Sequence, residues 1–418
     1  MMEFGLIGEH LGHSFSKEIH EKLSDRPYEL REVARDELAG FLSHREFKGI
    51  NVTIPYKEAV LPWLDFISPE ARKIGAVNTI VNRDGRLFGY NTDYFGFSAL
   101  VDRIGLDFKG KRVLILGAGG AAKTVAAVAE DRSAASVTHA VRHPKAPGQI
   151  PLSSLASEPS YKDAIPGLTG EVVINCTPAG MFPHEEERIA DLEAFPQLKG
   201  AIDLIYNPLR TDFILDAQAL GVPAEGGLYM LVAQAVKARE YFDGIPGPAG
   251  DDLFESLLKT KRNLVLIGMP ASGKSTLGRA LAERTGRPFL DTDELIVGKA
   301  GKPIPQIFSD EGETAFRAIE SEVIRELSPR TGLVIATGGG AILDPDNVRR
   351  LKRNGLLCFI RRDPERLSPT PDRPLSSDSA AMRALYQRRK EAYRRATELV
   401  IDNDGPLEDS LKQLEALV

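Results

Sequence analysis

Cysteine is scarce in this chain of 418 residues, which contains only Cys176 and Cys358. The two lie far apart in the sequence and match no zinc-ligand spacing, so no structural zinc site is predicted. We expect both to be buried, inert thiols of a cytoplasmic protein, because a reducing compartment is the simplest setting for unpaired cysteines.

Long hydrophobic runs are also missing. No window resembles a transmembrane span, and the opening "MMEFGLIGEH" lacks the basic start and apolar core of a signal peptide, so no membrane partner is predicted. The formal net charge of −6 argues against a nucleic-acid partner. A length of 418 residues with 42% hydrophobic content predicts a soluble globular protein of two or three domains. The oligomeric state is not indicated.

A phosphate-binding loop stands in the second half of the chain. "LVLIGMPASGKST" contains G-x-x-x-x-G-K-[ST] between an apolar strand and a helix. Backbone N–H groups of such a loop wrap a β-phosphate, Lys274 bridges β- and γ-phosphates, and Ser275 can hold Mg²⁺. The motif predicts an ATP site formed by Ala271, Ser272, Gly273, Lys274, Ser275 and Thr276.

Polar motifs after this loop bear on the phosphate acceptor. "FLDTDE" places Asp291 and Asp293 at a strand end, where one carboxylate can support Mg²⁺ and the other can orient an acceptor hydroxyl. "FRAIE" puts Arg317 and Glu320 on one helix face, although a surface salt bridge explains that pair as well. "TGGG" (337–340) lets a small ligand approach bare backbone. "PERLSPTPDRPLSSD" is typical of a mobile lid or of a solvated loop.

This ordered set of motifs, completed by R-x-x-x-Y, resembles shikimate kinase over residues 262–418. The resemblance implies that shikimate is bound by Asp293, Arg317, Gly339 and Arg389, and that the two arginines bind its carboxylate. It further implies that Asp293 is catalytic, that Ser275 and Asp291 serve the metal Mg²⁺, and that Arg373 is the lid arginine near ATP. "RPLS" replaces the more usual RPLL in the lid.

A second glycine-rich loop lies near residue 117. "LILGAGGAAKTV" follows a strand and opens a helix, an arrangement that lets a pyrophosphate sit on the helix N-terminus. The following strand ends in "AVRHPKA", which carries Arg142 and Lys145 where an NAD site would have an acid. Cations there suit the 2′-phosphate of NADP.

Polar residues surround this cofactor motif in "GHSFSK", "GINVTIPYK", "GAVNTI" and "GYNTDYFG". Each Asn or Thr alone is typical of a turn. Together they outline a pocket for a polyhydroxylated small molecule. With "NCTPAGM", "DLIYNP" and "MLVAQ", they resemble shikimate dehydrogenase across residues 1–250.

The resemblance makes Lys57 and Asp93 the catalytic pair, with Lys57 as the proton donor to the developing alkoxide. The predicted shikimate contacts are Ser14, Ser16, Thr53, Asn78, Thr92, Asp93, Tyr206 and Gln234. The predicted NADP site comprises Gly117, Ala118, Gly119, Gly120, Ala121, Arg142, Thr177, Leu204 and Gly227.

The predicted fold class is α/β throughout. We expect an α/β substrate domain over residues 1–100, to which helices at about 228–250 return, and a Rossmann-like NADP domain over 101–227. A Gly/Pro-rich linker at 243–262 leads to a P-loop domain over 263–418, with a parallel sheet like that of nucleoside monophosphate kinases.

The predicted function is bifunctional. The first half reduces 3-dehydroshikimate to shikimate with NADPH, and the second phosphorylates shikimate to shikimate 3-phosphate with ATP and Mg²⁺. Three alternatives stay open: a quinate/shikimate dehydrogenase that uses NAD, a nucleoside-type kinase in the second half, and a non-catalytic regulatory module in one half.

Overall fold

The computed structural model describes residues 2–11, 15–155, 170–247, 250–367 and 379–418, and its contacts divide the chain into two compact units. Unit 1 comprises residues 1–206 and 216–255, and unit 2 comprises residues 207–215 and 256–418. Within the described ranges, no helix combines the length and the apolar character that crossing a membrane requires.

The first sheet of unit 1 is mixed and contains β1 (Phe4–Gly8), β2 (Glu29–Glu32), β3 (Gly49–Val52), β4 (Phe66–Ile67), β5 (Thr79–Arg83) and β6 (Arg86–Tyr90). Its strand order is β2-β1-β3-β5-β6-β4, with β1 parallel to β2 and β3, and β5 antiparallel to β3 and β6. The β5–β6 hairpin turns at Asp84 and Gly85, which both have positive φ (52° and 81°), as a tight two-residue turn requires. The helices of this part are α1 (Ser16–Leu23), α2 (Leu38–His44), α3 (Pro69–Ile74) and α4 (Thr92–Arg103).

The second sheet is wholly parallel and contains β7 (Arg112–Leu116), β8 (Ser136–Val141), β9 (Gln149–Pro151), β10 (Val172–Asn175), β11 (Gly200–Asp203) and β12 (Ala224–Glu225). Its order, β12-β11-β10-β7-β8-β9, is that of a doubly wound dinucleotide-binding fold. The order reverses between β7 and β10, so a ligand crevice is expected at their carboxyl ends. The helices that follow β7, β11 and β12 are α5 (Gly120–Asp131), α6 (Asp212–Ala219) and α7 (Leu228–Asp243).

The third sheet belongs to unit 2 and is also parallel, with β13 (Asn263–Ile267), β14 (Phe289–Asp291), β15 (Val334–Ala336), β16 (Gly355–Arg361) and β17 (Leu399–Asp402). Its order is β14-β15-β13-β16-β17. The helices of unit 2 are α9 (Lys274–Thr285), α10 (Thr292–Ala300), α11 (Ile304–Leu327), α12 (Pro345–Asn354), α13 (Ser379–Ala396) and α14 (Leu407–Glu415). They are preceded in the chain by α8 (Gly250–Lys261), whose residues 250–255 belong to unit 1.

The central strand β13 is buried on both faces. Val265 and Ile267 pack into one hydrophobic cluster, and Leu264 and Leu266 pack into another on the opposite face of the sheet. Alternate strand residues point to opposite faces, so a run of five buried residues requires a layer of helices on each side. The loop that follows β13 is therefore anchored to a rigid strand, and the α/β fold class predicted from the sequence is confirmed.

Candidate active sites

A cavity of about 550 Å³, with several polar side chains in its wall, lies within unit 1. The carboxyl end of β3, the start of α4 and the first turns of α1 contribute to its wall, together with part of α7. Most residues that the sequence predicted as substrate or catalytic groups line it, namely Ser16, Thr53, Lys57, Asn78, Asp93, Tyr206 and Gln234. The cavity thus brings together residues as far apart in the chain as Ser16 and Gln234.

Lys57 and Asp93 form an ion pair in the cavity wall. The Nζ of Lys57 lies 2.6 Å from Oδ2 of Asp93, and the two side chains are 23% and 10% exposed. Asp93 stands in the first turn of α4, which begins at its N-cap Asn91. The partial positive charge of a helix N-terminus stabilises a carboxylate there. The pair therefore holds one ammonium group at the wall of the cavity, with a fixed direction.

Asn78 and Thr92 have different positions relative to the cavity. Asn78 lines it, whereas Thr92 is fully buried. The backbone N–H of Thr92 donates to Oδ1 of Asn78 at 2.7 Å, and its hydroxyl donates to the same oxygen at 3.2 Å. Thr92 therefore supports the amide of Asn78 from behind in this structure.

His20 is a cavity residue that the sequence reasoning missed. Its ring stacks on Tyr28 at 4.0 Å and is 3% exposed, and Tyr28 donates a hydrogen bond to Asn51, which also lines the cavity. Burial lowers the pKa of His20 to about 3, so the imidazole is neutral. The available signal was its spacing, since His20 lies four residues after Ser16 on α1 and therefore on the same helix face.

The predicted dinucleotide loop joins β7 to α5. Gly117 has a φ of 106°, and Gly119 is the N-cap of α5. A Cβ built at Gly119 or Gly120 meets no atom within 4 Å, so the space in front of the helix N-terminus is open. Ala118 and Ala121 belong to the same turn. Open space before free helix N–H groups fits a pyrophosphate.

A network of buried polar groups shapes the loop after β10. Oδ1 of Asn175 accepts hydrogen bonds from the N–H (2.9 Å) and hydroxyl (2.7 Å) of Thr177, while its Nδ2 lies 3.1 Å from the fully buried Asp203. A Cβ built at Gly117 would lie 3.1 Å from the methyl group of Thr177. The loops after β7 and β10 therefore meet at the crevice that the strand order indicates.

Leu204 and Gly227 complete this edge of the sheet. The N–H of Leu204 donates to the carbonyl of Asn175 at 3.0 Å, and a Cβ built at Gly227 would overlap the carbonyl of Leu204. Arg142 follows β8 and is exposed. An exposed guanidinium at this position pays no desolvation penalty. It can bind a phosphate group at the end of the second strand of such a fold.

In unit 2, the loop from Gly268 to Gly273 joins β13 to α9. Gly268, Ala271 and Gly273 have φ values of 152°, 61° and 95°. Such left-handed residues turn successive N–H groups toward one concavity that binds anions. Nζ of Lys274 donates to the carbonyls of Gly268 (2.9 Å) and Met269 (2.8 Å), so its ammonium lies on the loop. Thr276 follows in the first turn of α9.

Ser275 and Asp291 lie together beside this loop. The hydroxyl of Ser275 donates to Oδ2 of Asp291 at 2.6 Å, and Oδ1 of Asp291 caps α10 by accepting from the N–H of Asp293 at 2.9 Å. The cap orients the carboxylate toward Ser275. A hydroxyl and a carboxylate oxygen next to a phosphate loop are ligands that suit Mg²⁺.

The glycine run after β15 faces two carboxylates. A Cβ built at Gly338 would lie 2.7 Å from Oδ1 of Asp293 and 2.8 Å from Oε1 of Glu320. Glu320 is 1% exposed, and among the described residues its Oε1 has no hydrogen-bond partner. Burial raises the pKa of Glu320, although Arg317 opposes that shift. The missing side chain at Gly338 thus lets both carboxylates approach its backbone closely.

Two arginines lie against the same glycine run. Arg317 donates to Oε2 of Glu320 at 2.6 Å, and a Cβ built at Gly340 would overlap its guanidinium. Arg389 is 5% exposed, and burial lowers its pKa. A Cβ built at Gly339 would lie 3.3 Å from Nη1 of Arg389. Two guanidinium groups beside bare backbone are chemically suited to bind a small anion such as a carboxylate.

Ser14 and Arg373 lie outside the described residues, as does most of the predicted lid (368–378). Arg366 belongs to the described start of the predicted lid, and it donates to the carbonyl of Asp404 at 2.7 Å.

A doubly wound fold beside a polar cavity, joined to a P-loop fold beside paired carboxylates and arginines, defines a nucleotide-dependent enzyme with two active sites. Residues 6–80 match the family model of the shikimate dehydrogenase substrate binding domain, and residues 270–417 match that of shikimate kinase. The shikimate dehydrogenase (NADP(+)) of Clostridium perfringens is 39% identical over 267 residues, which cover 62% of this chain and 98% of that protein.

Solved structures also match the first part of the chain. Shikimate 5-dehydrogenase from Thermus thermophilus, in complex with NADP(H) and shikimate, matches with a TM-score of 0.52 and 31% identity over 61% of this chain and 98% of that one. Quinate dehydrogenase from Corynebacterium glutamicum, in complex with NAD, matches with a TM-score of 0.53 and 28% identity over 62% and 98%.

The chain belongs to the shikimate dehydrogenase family, and a shikimate kinase domain follows the dehydrogenase part in the sequence. The predicted family, both predicted enzyme classes and their nucleotide cofactors, NADP(H) and ATP with Mg²⁺, are therefore confirmed.

Proposed function

We propose that this protein catalyses two consecutive reactions: the NADPH-dependent reduction of 3-dehydroshikimate to shikimate, and the ATP-dependent phosphorylation of shikimate to shikimate 3-phosphate. The observation that carries the proposal is that each unit has its own polar site and its own nucleotide loop. The Lys57–Asp93 pair lines the cavity of unit 1, and Asp293 lies beside the glycine run of unit 2.

In the first reaction, Lys57 is the proton donor. Its ammonium group stabilises the negative charge that develops on the ketone oxygen and then transfers a proton to that oxygen. Asp93 orients the ammonium through the 2.6 Å contact. Ser16, Thr53, Asn78, Tyr206 and Gln234 supply hydroxyl and amide groups that bind the hydroxylated ring. Ser14 stays a predicted contact, whereas Thr92 acts through Asn78, whose amide oxygen it holds.

The turn at Gly117–Ala121 would hold the pyrophosphate of NADP, because Gly119 and Gly120 leave open space before α5. When bound, the cofactor supplies a hydride to the ketone carbon. Arg142 would contact its 2′-phosphate, and Thr177, Leu204 and Gly227 would lie near its nicotinamide half. The preference for NADP rests on Arg142 and on the absence of an acid in "AVRHPKA".

In the second reaction, Asp293 accepts the proton of the attacking hydroxyl and orients that hydroxyl toward the phosphate loop. Arg317, Arg389 and the backbone at Gly339 bind the shikimate carboxylate. Glu320 holds Arg317 in place. Asp293 and Glu320 both lie against the bare backbone at Gly338.

Ser275 and Asp291 would hold Mg²⁺, and the loop Ala271–Thr276 would hold ATP, with Arg373 of the predicted lid. When bound, the metal neutralises charge on the phosphates. One hydroxyl and one carboxylate fit Mg²⁺, which is usually bound by few protein ligands together with substrate phosphates.

The proposal is tested by two assays on the full chain. NADPH oxidation should depend on 3-dehydroshikimate, and ADP release should depend on shikimate. Activity restricted to quinate with NAD would establish the first alternative. ADP release with nucleosides but not with shikimate would establish the second. One inactive half would establish the regulatory module.

We also propose that the first sheet, within residues 1–100, forms the substrate domain and that the second, within 101–227, forms the cofactor domain, with the kinase from about 263. The free thiols Cys176 and Cys358 support the predicted cytoplasmic location, which stays a prediction.

A further inference from the structure

Asn403 lies directly after β17 and contacts the phosphate loop from behind. Its side chain is 8% exposed. Nδ2 of Asn403 donates to the carbonyl oxygen of Ser272 at 2.8 Å, and Oδ1 accepts from the hydroxyl of Ser410 in α14 at 3.0 Å. A carbonyl oxygen only accepts, so the amide nitrogen must face Ser272.

The contact is close because Gly273 has no side chain. Gly273 has a φ of 95°, and a Cβ built on it would lie 2.5 Å from Nδ2 of Asn403. The amide therefore lies directly against the backbone of the loop at the residue before Lys274. The backbone of Asn403 is fixed as well, since its N–H donates to the carbonyl of Arg361 at 2.8 Å.

The direction of this hydrogen bond determines the direction of an N–H group. In a planar trans peptide, the C=O of one residue and the N–H of the next point to opposite sides. Since Asn403 holds the carbonyl of Ser272 on its own side, the N–H of Gly273 points away from Asn403. That is the side on which the loop closes around a phosphate.

We propose that Asn403 is a positioning residue of the kinase, which holds the Ser272–Gly273 peptide so that the N–H of Gly273 points at the phosphates of the nucleotide. This inference rests on the proposed kinase function and deepens it. Without Asn403, the peptide can rotate, because a glycine at position 273 offers little resistance to a change in φ and ψ.

The test uses Asn403→Ala and the isosteric Asn403→Asp in the full chain. The aspartate keeps the volume but turns a carboxylate oxygen toward the carbonyl of Ser272. We expect the dissociation constant for ADP, measured by calorimetry, to rise about tenfold for Asn403→Ala and further for Asn403→Asp. KM for ATP should rise in parallel, whereas kcat and KM for shikimate should stay near wild type, because the N–H contacts bound nucleotide before and during transfer.

Ser410→Ala is the matched control, since it removes the other partner of Asn403 and leaves the bond to Ser272. Its ADP affinity should stay within about twofold of wild type. NADPH oxidation by unit 1 serves as the concentration standard for every variant. An unchanged ADP affinity in both Asn403 variants, or a lower kcat with unchanged KM for ATP, would overturn the proposal. A wild-type chain that binds ADP but releases none with shikimate would overturn the proposed reaction instead.

Discussion

Single side chains decide the chemistry of both sites, and Lys57 is the clearest case. Its ammonium is the cation that Asp93 holds in the cavity wall, at 2.6 Å. In Lys57→Ala, the alkoxide loses its proton donor, so kcat for reduction of 3-dehydroshikimate should fall by about 10² to 10⁴-fold. The measurement is NADPH oxidation at saturating substrate, with ADP release from shikimate as the second readout.

Lys48→Ala is the control for this substitution, because Lys48 is an exposed lysine paired with Glu3. It should leave both activities unchanged. Loss of ADP release in Lys57→Ala would contradict the assignment of Lys57 to the first reaction alone.

Glu320 and Glu313 both pair with Arg317, but they differ in burial. Glu320 is 1% exposed and Glu313 is 51% exposed. Glu320→Ala should therefore raise KM for shikimate about tenfold, because a charge-assisted bond in a buried setting orients Arg317. Glu313→Ala should change that KM by less than about twofold, as exposed ion pairs contribute little.

Steady-state kinetics with varied shikimate measure this difference, and ADP binding shows whether Glu320→Ala remains folded. Equal changes in KM for shikimate in Glu320→Ala and Glu313→Ala would mean that the burial of Glu320 does not help it to orient Arg317.

His20 gives unit 1 a predictable sensitivity to acid. A histidine of the unfolded chain titrates near 6.5, whereas burial lowers the pKa in the folded protein to about 3. Between these values only the unfolded state binds the proton, so the free energy of unfolding falls as pH drops below 6.5. His20→Phe keeps the stacking on Tyr28 and should remove about 2 kcal/mol of the loss between pH 7.5 and 5.

Urea unfolding followed by the fluorescence of Trp63, which is the single tryptophan and belongs to unit 1, measures this effect. His143→Phe changes an exposed histidine and should keep the wild-type pH dependence. A wild-type dependence in His20→Phe would show that His20 is not the titrating group.

At the scale of elements, glycines at the sheet edge have two distinct roles. Gly227 precedes α7 and packs against the carbonyl of Leu204, whereas Gly119 precedes α5 and faces open space. Gly227→Ala should lower the free energy of unfolding of unit 1 by about 1–3 kcal/mol, because the added methyl group overlaps backbone.

Gly119→Ala should leave that free energy nearly unchanged, since its φ of −74° suits alanine, and should raise KM for NADPH by filling the pyrophosphate space. Trp63 fluorescence and cofactor kinetics separate the two effects. A destabilised Gly119→Ala protein with normal KM would argue against a cofactor at this turn.

At the scale of the whole molecule, each proposed site lies within one unit. The cavity is lined by residues of unit 1, and the phosphate loop, carboxylates and arginines belong to unit 2. A mixture of Lys57→Ala and Asp293→Asn chains should therefore convert 3-dehydroshikimate to shikimate 3-phosphate, through shikimate that one chain releases and another binds.

Product formation over time measures this complementation, and free shikimate should accumulate before phosphorylation reaches its full rate. Each variant alone is the control: Asp293→Asn should stop at shikimate, and Lys57→Ala should leave 3-dehydroshikimate unconverted. A mixture that forms no final product, although each variant keeps its remaining activity, would contradict independent sites.

Much of the fold followed from local pattern. The apolar segments "KRVLILG", "SVTHAV" and "NLVLIG" are strands in the structure, and both glycine loops lie between a strand and a helix. The motif order also led to the confirmed families. His20 and Asn403 were not found in this way, because their roles depend on tertiary contacts. His20 stacks on Tyr28, which lies outside its helix, and Asn403 donates to Ser272, which is distant in the sequence.

The sequence by itself determined the class of each half, since hydrophobic periodicity and the spacing of a phosphate loop are local properties of the chain. Tertiary structure decided which side chains meet. Strand order brings Lys57 to Asp93, and the turn after β15 places Gly338 between Asp293 and Glu320. Tertiary structure also placed Thr92 behind Asn78 and Asn403 behind the phosphate loop. Such contacts join segments separated by tens to hundreds of residues, and only the packed chain brings them within hydrogen-bond distance.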